Sequence, residues 1–127
     1  MLERVSGSDR SRETSSPAWL GRARDLVHAS FRDSLTLEDL AERVDVHPIH
    51  LSRVFRKRYG CTLAEYMNRL RVQFACRALE SGRPDLAGLA SDAGFADQSH
   101  MGRVFKACTG QTPGQFRKLF YSLDRGA

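Results

Sequence analysis

The sequence predicts an all-α fold in which two helix-turn-helix subdomains are joined by a long linker helix, and three observations carry that prediction. Apolar residues recur at helical spacing from Leu20 onward, with no alternating run to suggest a strand. Thr36, Thr62, Asp85, Asp97 and Thr112, all good capping residues, each stand ahead of such a stretch. The chain also repeats itself. At an offset of 50, Leu51, Arg53, Val54 and Phe55 match Met101, Arg103, Val104 and Phe105, and Gly60, Thr62 and Tyr66 match Gly110, Thr112 and Phe116. Upstream the offset becomes 49, pairing Leu37, Leu40, Ala41 and Val46 with Leu86, Leu89, Ala90 and Phe95, so one residue is inserted in the second turn.

Taken in order, residues 1–16 are rich in Ser, Arg and Glu and lack apolar periodicity, which predicts a flexible arm or linker. The folded part, 17–123, opens on an outer helix with Ser16 as N-cap and Pro17 at its first position. Leu20, Ala23, Leu26, Val27 and Phe31 line its inner face, and His28 reads as partly buried. The first helix-turn-helix is expected over about 36–60. The linker helix follows over about 62–82, where Thr62 and Glu65 form a capping box and Gly82 makes a natural stop. Pro84 blocks continuation, and the second helix-turn-helix, about 85–109, has a helix from Leu86 to Ala93 and its tight turn at Gly94. Thr112 and Pro113 start a final helix reaching about Tyr121. In each copy a small residue, Ala41 or Ala90, lets the second helix cross the first closely. A linker of 19 residues, Leu63 to Ser81, would make a rod of about 28 Å, which approaches the roughly 34 Å between successive major-groove faces of B-DNA.

Composition bounds the function. With 127 residues and 41% of them apolar, the chain suits one compact domain or two very small ones and excludes a large multidomain enzyme. No apolar run reaches the roughly 18 residues of a membrane helix and no signal peptide opens the chain, so a soluble, cytoplasmic protein is expected. Cys61, Cys76 and Cys108 are odd in number and widely spaced, which fits reduced thiols better than a disulfide framework. The net charge is +5, and its distribution says more than its size. Residues 34–48 carry −3 and 49–83 carry +6, then 84–94 carry −2 and 95–121 carry +3: an acidic segment precedes a basic one, twice. Ordinary solvated helix faces are the other reading of this pattern.

On a helical wheel Leu51, Val54, Phe55 and the stem of Arg58 share one side of the first candidate reading helix, while Ile49, Arg53 and Arg56 hold the other, flanked by His50, Ser52 and Lys57. In the second copy Met101, Val104, Phe105 and Cys108 form the inner side, Ser99, Arg103 and Lys106 oppose it, and Gln98 sits near the helix start. A major groove demands this arrangement, because N-terminal residues reach base edges while more C-terminal cations, here Arg56, Lys57 and Lys106, meet phosphate. Arg53 and Arg103 suit bidentate contacts to guanine, and Gln98 suits adenine. Ile49 is suited either to a thymine methyl or to packing back against the turn.

Other chemistries find no support. His47, His50 and Cys61 lack a second paired ligand set for zinc, and His47 is better read as a cap for the helix beginning at Pro48. Cys76 and Cys108 fall on faces that read as core, without an orienting acid and pocket for a nucleophile. There is no Gly-rich phosphate loop, no H-E-x-x-H and no nucleophile elbow. Neither an enzyme, nor a cofactor or metal site, nor a small-molecule pocket is expected.

Several segments together resemble the DNA-binding domain of the AraC/XylS family of bacterial transcription regulators. They are L-x-x-L-A at Leu37 to Ala41, H-P-I-H-L-S-R-V-F-R at His47 to Arg56, G-F-A-D-Q-S-H-M-G-R-V-F-K at Gly94 to Lys106, and T-G-Q-T-P-G-Q-F-R at Thr109 to Arg117. The resemblance spans about 19–121 and implies a seven-helix, homeodomain-like tandem that binds promoter DNA through two major-groove recognition helices and commonly activates transcription by contacting RNA polymerase. Carried over by position, it implies base reading by Ile49, His50, Ser52 and Arg53 in the first motif and by Gln98, Ser99, Gly102 and Arg103 in the second. The chain departs from the family pattern in three places. His47 stands where Ser or Thr usually caps, Met101 replaces a usual Phe, and Gly102 lies inside the second reading helix. Gly102 either permits close approach to the bases or marks a lost contact.

The family pattern also puts an effector or dimerisation domain ahead of the DNA-binding one. The arm of 16 residues therefore reads as the remnant of a linker in a longer regulator, or else the chain is a small stand-alone one. The expectation is a monomer that binds double-stranded DNA specifically at an asymmetric promoter site, as an activator. The alternatives are a protein-interaction module docking through the acidic helices with Glu38, Asp39 and Glu42, or a sequence-indifferent DNA-compacting protein.

Overall fold

The computed structural model describes residues 16–82 and 85–126, with side chains as far as Phe120. Most of the expected arm and Pro84 lie outside the described residues. Seven helices and no strand occur among those described: α1 (Ala18–Ser30), α2 (Leu37–Val44), α3 (Pro48–Tyr59), α4 (Leu63–Glu80), α5 (Leu86–Ala93), α6 (Gln98–Thr109) and α7 (Pro113–Gly126). They form two compact units. Of the described residues, one holds 16–29 and 36–63, the other 30–35, 64–82 and 85–126.

In the first unit α1 buries Leu20, Ala23 and Val27, as their spacing requires. Two details differ from the sequence reading. The helix starts at Ala18, with the Pro17 carbonyl accepting from Leu20 N at 3.0 Å, so Pro17 stands before the first helical position. His28, one residue on from Val27 and so about 100° round the helix, is exposed. α2 opens on a complete capping box: Asp39 N donates to Thr36 Oγ1 at 3.0 Å and Thr36 N donates to Asp39 Oδ2 at 3.2 Å. The hydrogen bonds from Thr36 hold the Asp39 carboxyl below its ordinary pKa. α2 closes with Asp45 in the left-handed region (φ 59°), and Val46 N reaches back to the Ala41 carbonyl at 3.0 Å. α3 then packs on α2 and buries Leu51 and Phe55.

The second unit repeats this plan, bond for bond in its turn. Asp85 caps α5 by accepting from Gly88 N at 3.1 Å, Gly94 takes the left-handed position (φ 99°), and Phe95 N reaches back to Ala90 at 2.9 Å, the counterpart of Val46 to Ala41. The inserted residue lies between Phe95 and α6, where Asp97 becomes the N-cap and accepts from His100 N at 2.7 Å. α3 and α6 both end on a left-handed glycine, Gly60 and Gly110, each donating 2.8 Å to the carbonyl four residues back. Val72, Ala75, Leu79, Leu89, Ala90, Ala93, Phe95, Met101 and Phe105 make one buried cluster, with Phe116 packed against it. Phe105 meets the Phe116 ring edge-on at 5.6 Å.

α7 is longer than its pattern suggested, running to Gly126 and not stopping near Tyr121. It begins with a capping box, in which Thr112 and Gln115 exchange bonds of 2.9 and 3.1 Å. The segment from Ser30 to Leu35 belongs to this unit and is tied down by side chains distant in sequence. Arg71 Nε donates to the Phe31 carbonyl at 2.8 Å, Arg32 Nε donates to the Asp92 carbonyl at 2.6 Å, and the Arg32 guanidinium lies 4.3 Å from the centre of the Phe74 ring.

Candidate nucleic-acid interface

Each candidate reading helix is fixed from below by its apolar face and at its start by a cap. On α3, Leu51 and Phe55 are buried and Val54 half-buried; on α6, Met101 and Phe105 are buried and Val104 half-buried. The opposite faces are therefore held outward. Ile49, His50, Ser52, Arg53, Arg56 and Lys57 on α3 are all exposed, as are Gln98, Ser99, Arg103 and Lys106 on α6, with Gly102 half-buried. Ile49 is 58% exposed, so of its two expected uses packing against the turn is not the one the fold adopts. Cys108 corrects the wheel: it lies on the expected inner side of α6 but is exposed.

Positive charge is unequal between the two. α3 carries Arg53, Arg56, Lys57 and Arg58, whereas α6 carries Arg103 and Lys106. Cations in the last turn also complement the negative end of a helix dipole.

A histidine stands at the start of each of these helices. His47 caps α3, its Nδ1 accepting from Ile49 N at 3.2 Å, which is the role the sequence assigned to it. His100, one turn into α6, accepts from Ala96 N at 3.2 Å and sets its ring edge-on to Phe95 at 5.5 Å. At the equivalent position of the first unit, His50 has its ring 5.6 Å from that of Trp19. Sequence reasoning did not find either contact, although His50 and His100 stand at the repeat offset of 50.

Gly102 is helical, and a Cβ built there meets nothing within 4 Å. Gly102→Ala is therefore expected to raise stability by about 1 kcal/mol, read as a higher melting temperature. A lower one would mean that α6 is not a regular helix at that turn.

Among the described residues no group of three His, Cys, Asp or Glu side chains comes together to hold a metal ion. Burial first, then the nearby Glu80 and Cys108, push the Cys76 thiol above its ordinary pKa, the opposite of what a thiolate nucleophile needs. Among these residues no helix is long and apolar enough to cross a membrane.

Comparison with known proteins agrees with this geometry. A helix-turn-helix domain family matches residues 40–119. The bifunctional transcriptional activator/DNA repair enzyme AdaA of Bacillus subtilis is 34% identical over 101 residues, which cover 80% of this chain and 48% of that protein. The arabinose operon regulatory protein of Escherichia coli is 33% identical over 81 residues, covering 64% of this chain and 28% of that one. The chain thus spans less than half the length of these relatives. Among solved structures, the C-terminal domain of AraT, a response regulator from Geobacillus stearothermophilus, superposes with a TM-score of 0.78 at 27% identity, covering 83% of this chain and 88% of that one. The DNA-binding domain of AdpA, solved with a target DNA, shares the fold at a TM-score of 0.77 and 22% identity, covering 84% and 96% of the two chains. The chain belongs to the AraC-type helix-turn-helix family of transcriptional regulators.

Proposed function

We propose that this chain is the sequence-specific DNA-binding part of a transcriptional regulator, in which α3 and α6 each enter a major-groove segment of one promoter site. The observation that carries the reading is the paired outward face, Arg53 and Arg103 standing at the same register on two helices whose inner faces are buried. Ile49, His50, Ser52 and Arg53 then read bases in one segment and Gln98, Ser99, Gly102 and Arg103 in the other, while Arg56, Lys57 and Lys106 meet phosphate. The extra cations on α3 make the first unit the stronger electrostatic anchor. The chain itself acts without catalysis in this reading, in the cytoplasm, and the regulator activates by meeting RNA polymerase.

Selecting bound duplexes from a random pool, with binding to random duplex followed against salt, tests the proposal. For the three phosphates met by Arg56, Lys57 and Lys106, affinity should fall roughly fortyfold between 50 and 200 mM salt, and the selected site should outcompete random duplex. Salt dependence without a preferred site would make the protein a DNA-compacting one, and no binding at all would leave a protein-interaction module. Arg53→Ala should remove the preference at one base pair, at a cost of about 1–3 kcal/mol, whereas Lys106→Ala should weaken all sequences evenly and lower the salt slope by about one. An unchanged base preference for Arg53→Ala would remove that side chain from the reading set.

A further inference from the structure

The two equivalent histidines are used differently. In α6 the His100 Nδ1 is occupied by the Ala96 N–H and its ring stands edge-on to Phe95, so the side chain is spent on holding the helix start. In α3 the His50 ring makes no hydrogen bond to the described residues, although the residue is exposed on the outward side of the helix. Among the described residues neither ring nitrogen is engaged. An imidazole in that state turns freely about its side-chain bonds, and a contact to a base edge would first have to halt that rotation. The ring is flanked on one side by Trp19, whose own position is fixed because Leu20, Ala23 and Val27 anchor α1 in the core of the same unit. The indole is half-buried and lies at 53° to the imidazole, with the ring centres 5.6 Å apart, within the range of a favourable aromatic pair.

We infer that Trp19, on a helix outside both helix-turn-helix motifs, is a positioning residue that orients the His50 imidazole for reading one base pair. The inference rests on the proposed role of His50 as a base reader. Trp19 itself need not touch DNA: it sets which edge of the imidazole faces the groove. An aromatic pair of this kind corresponds to about two- to tenfold in an equilibrium, so losing the indole should lower the preference at one base pair by about that factor and leave the others unchanged.

The test selects sites from a random duplex pool with wild type, His50→Ala, Trp19→Leu, Trp19→Phe and the Trp19→Leu/His50→Ala double variant. Leucine keeps apolar bulk at this position of α1 without a ring to stack, so the fold should survive, which melting curves verify. Trp19→Leu and His50→Ala should each lose preference at the same single base pair, the double variant should lose no more than His50→Ala, and Trp19→Phe should restore it. If His50→Ala changes the site and Trp19→Leu does not, the positioning role is wrong while the base-reading role stands. If His50→Ala leaves every position unchanged, both fail. If Trp19→Leu weakens all sequences evenly, or lowers only the melting temperature, Trp19 is merely structural and the inference is overturned. The chain has a single tryptophan, so emission provides a second reading. Binding of the selected duplex should shift Trp19 emission in wild type and shift it less in His50→Ala; equal shifts in both would count against a His50-linked indole.

Discussion

Replacing Gly94 by alanine is expected to lower stability by roughly 3–5 kcal/mol, far more than the same change at the left-handed Gly60, Gly82 or Gly110. Two costs add at this position. The backbone there has φ 99°, a conformation that an L side chain adopts at a cost of about 1–2 kcal/mol. The Cβ would also lie 2.8 Å from Arg32 Cα and 2.9 Å from the carbonyl oxygens of Phe31 and Arg32, and these are backbone atoms that cannot swing aside. The strap they belong to is held by Arg71 on the Phe31 carbonyl and by Arg32 on the Asp92 carbonyl, so yielding to the methyl group would break bonds of 2.8 and 2.6 Å. Gly110→Ala is the control, because a Cβ there meets nothing within 4 Å and only the backbone cost of about 1–2 kcal/mol remains. Urea melts of both variants separate the two costs, and equal losses would mean that the strap does not press on Gly94.

The first unit shows why this glycine is not simply a requirement of the turn. Asp45 occupies the same left-handed position with φ 59°, and it donates the same kind of closing bond to the end of its helix. Aspartate tolerates that conformation, so the turn alone admits a side chain. What fixes glycine at 94 is the close approach of residues 31 and 32, which come from a segment more than 60 positions earlier in sequence and lie against the turn.

That contrast marks the limit of what the sequence displays. The repeat, the caps at Thr36, Asp85, Asp97 and Thr112, the tight turn at Gly94 and the inner faces of α3 and α6 are all written in local patterns. Each depends on a few neighbouring residues, whose chemistry settles the outcome. Contacts between distant segments are not written that way. Nothing local in Arg71 or Arg32 says that each will bond a carbonyl 40 or 60 residues away. Likewise a wheel gives the direction of Cys108 but not whether another element stands opposite it at that turn, and in the last turn of α6 it is left exposed. The exposed faces were legible because they are what remains when the inner residues are assigned. Trp19 beside His50 was not, since the two lie on different helices and neither forms part of a repeating pattern.

Phe105→Ala is expected to cost about 3–5 kcal/mol, because it removes the largest fully buried side chain of α6 and leaves a cavity that the surrounding helices cannot close. The ring sits in the cluster formed with Leu89, Ala90, Phe95 and Met101, and it meets Phe116 edge-on at 5.6 Å, an arrangement lost entirely on truncation. For a domain of this size the melting temperature should fall by roughly 12 °C or more. The consequence for DNA follows from where the residue stands. Gln98, Ser99, Arg103 and Lys106 project from the other side of the same helix, so their geometry depends on a side chain that never approaches the duplex. Phe105→Ala should therefore lower stability and affinity together, with the affinity recovering on cooling as the folded fraction rises. Arg103→Ala should lower affinity while leaving the melting curve within about 0.5 kcal/mol of wild type, since it removes only an exposed side chain. A Phe105→Ala protein that melts like wild type yet fails to bind would mean that the aromatic core does not hold α6 and that the phenyl ring acts on DNA by another route.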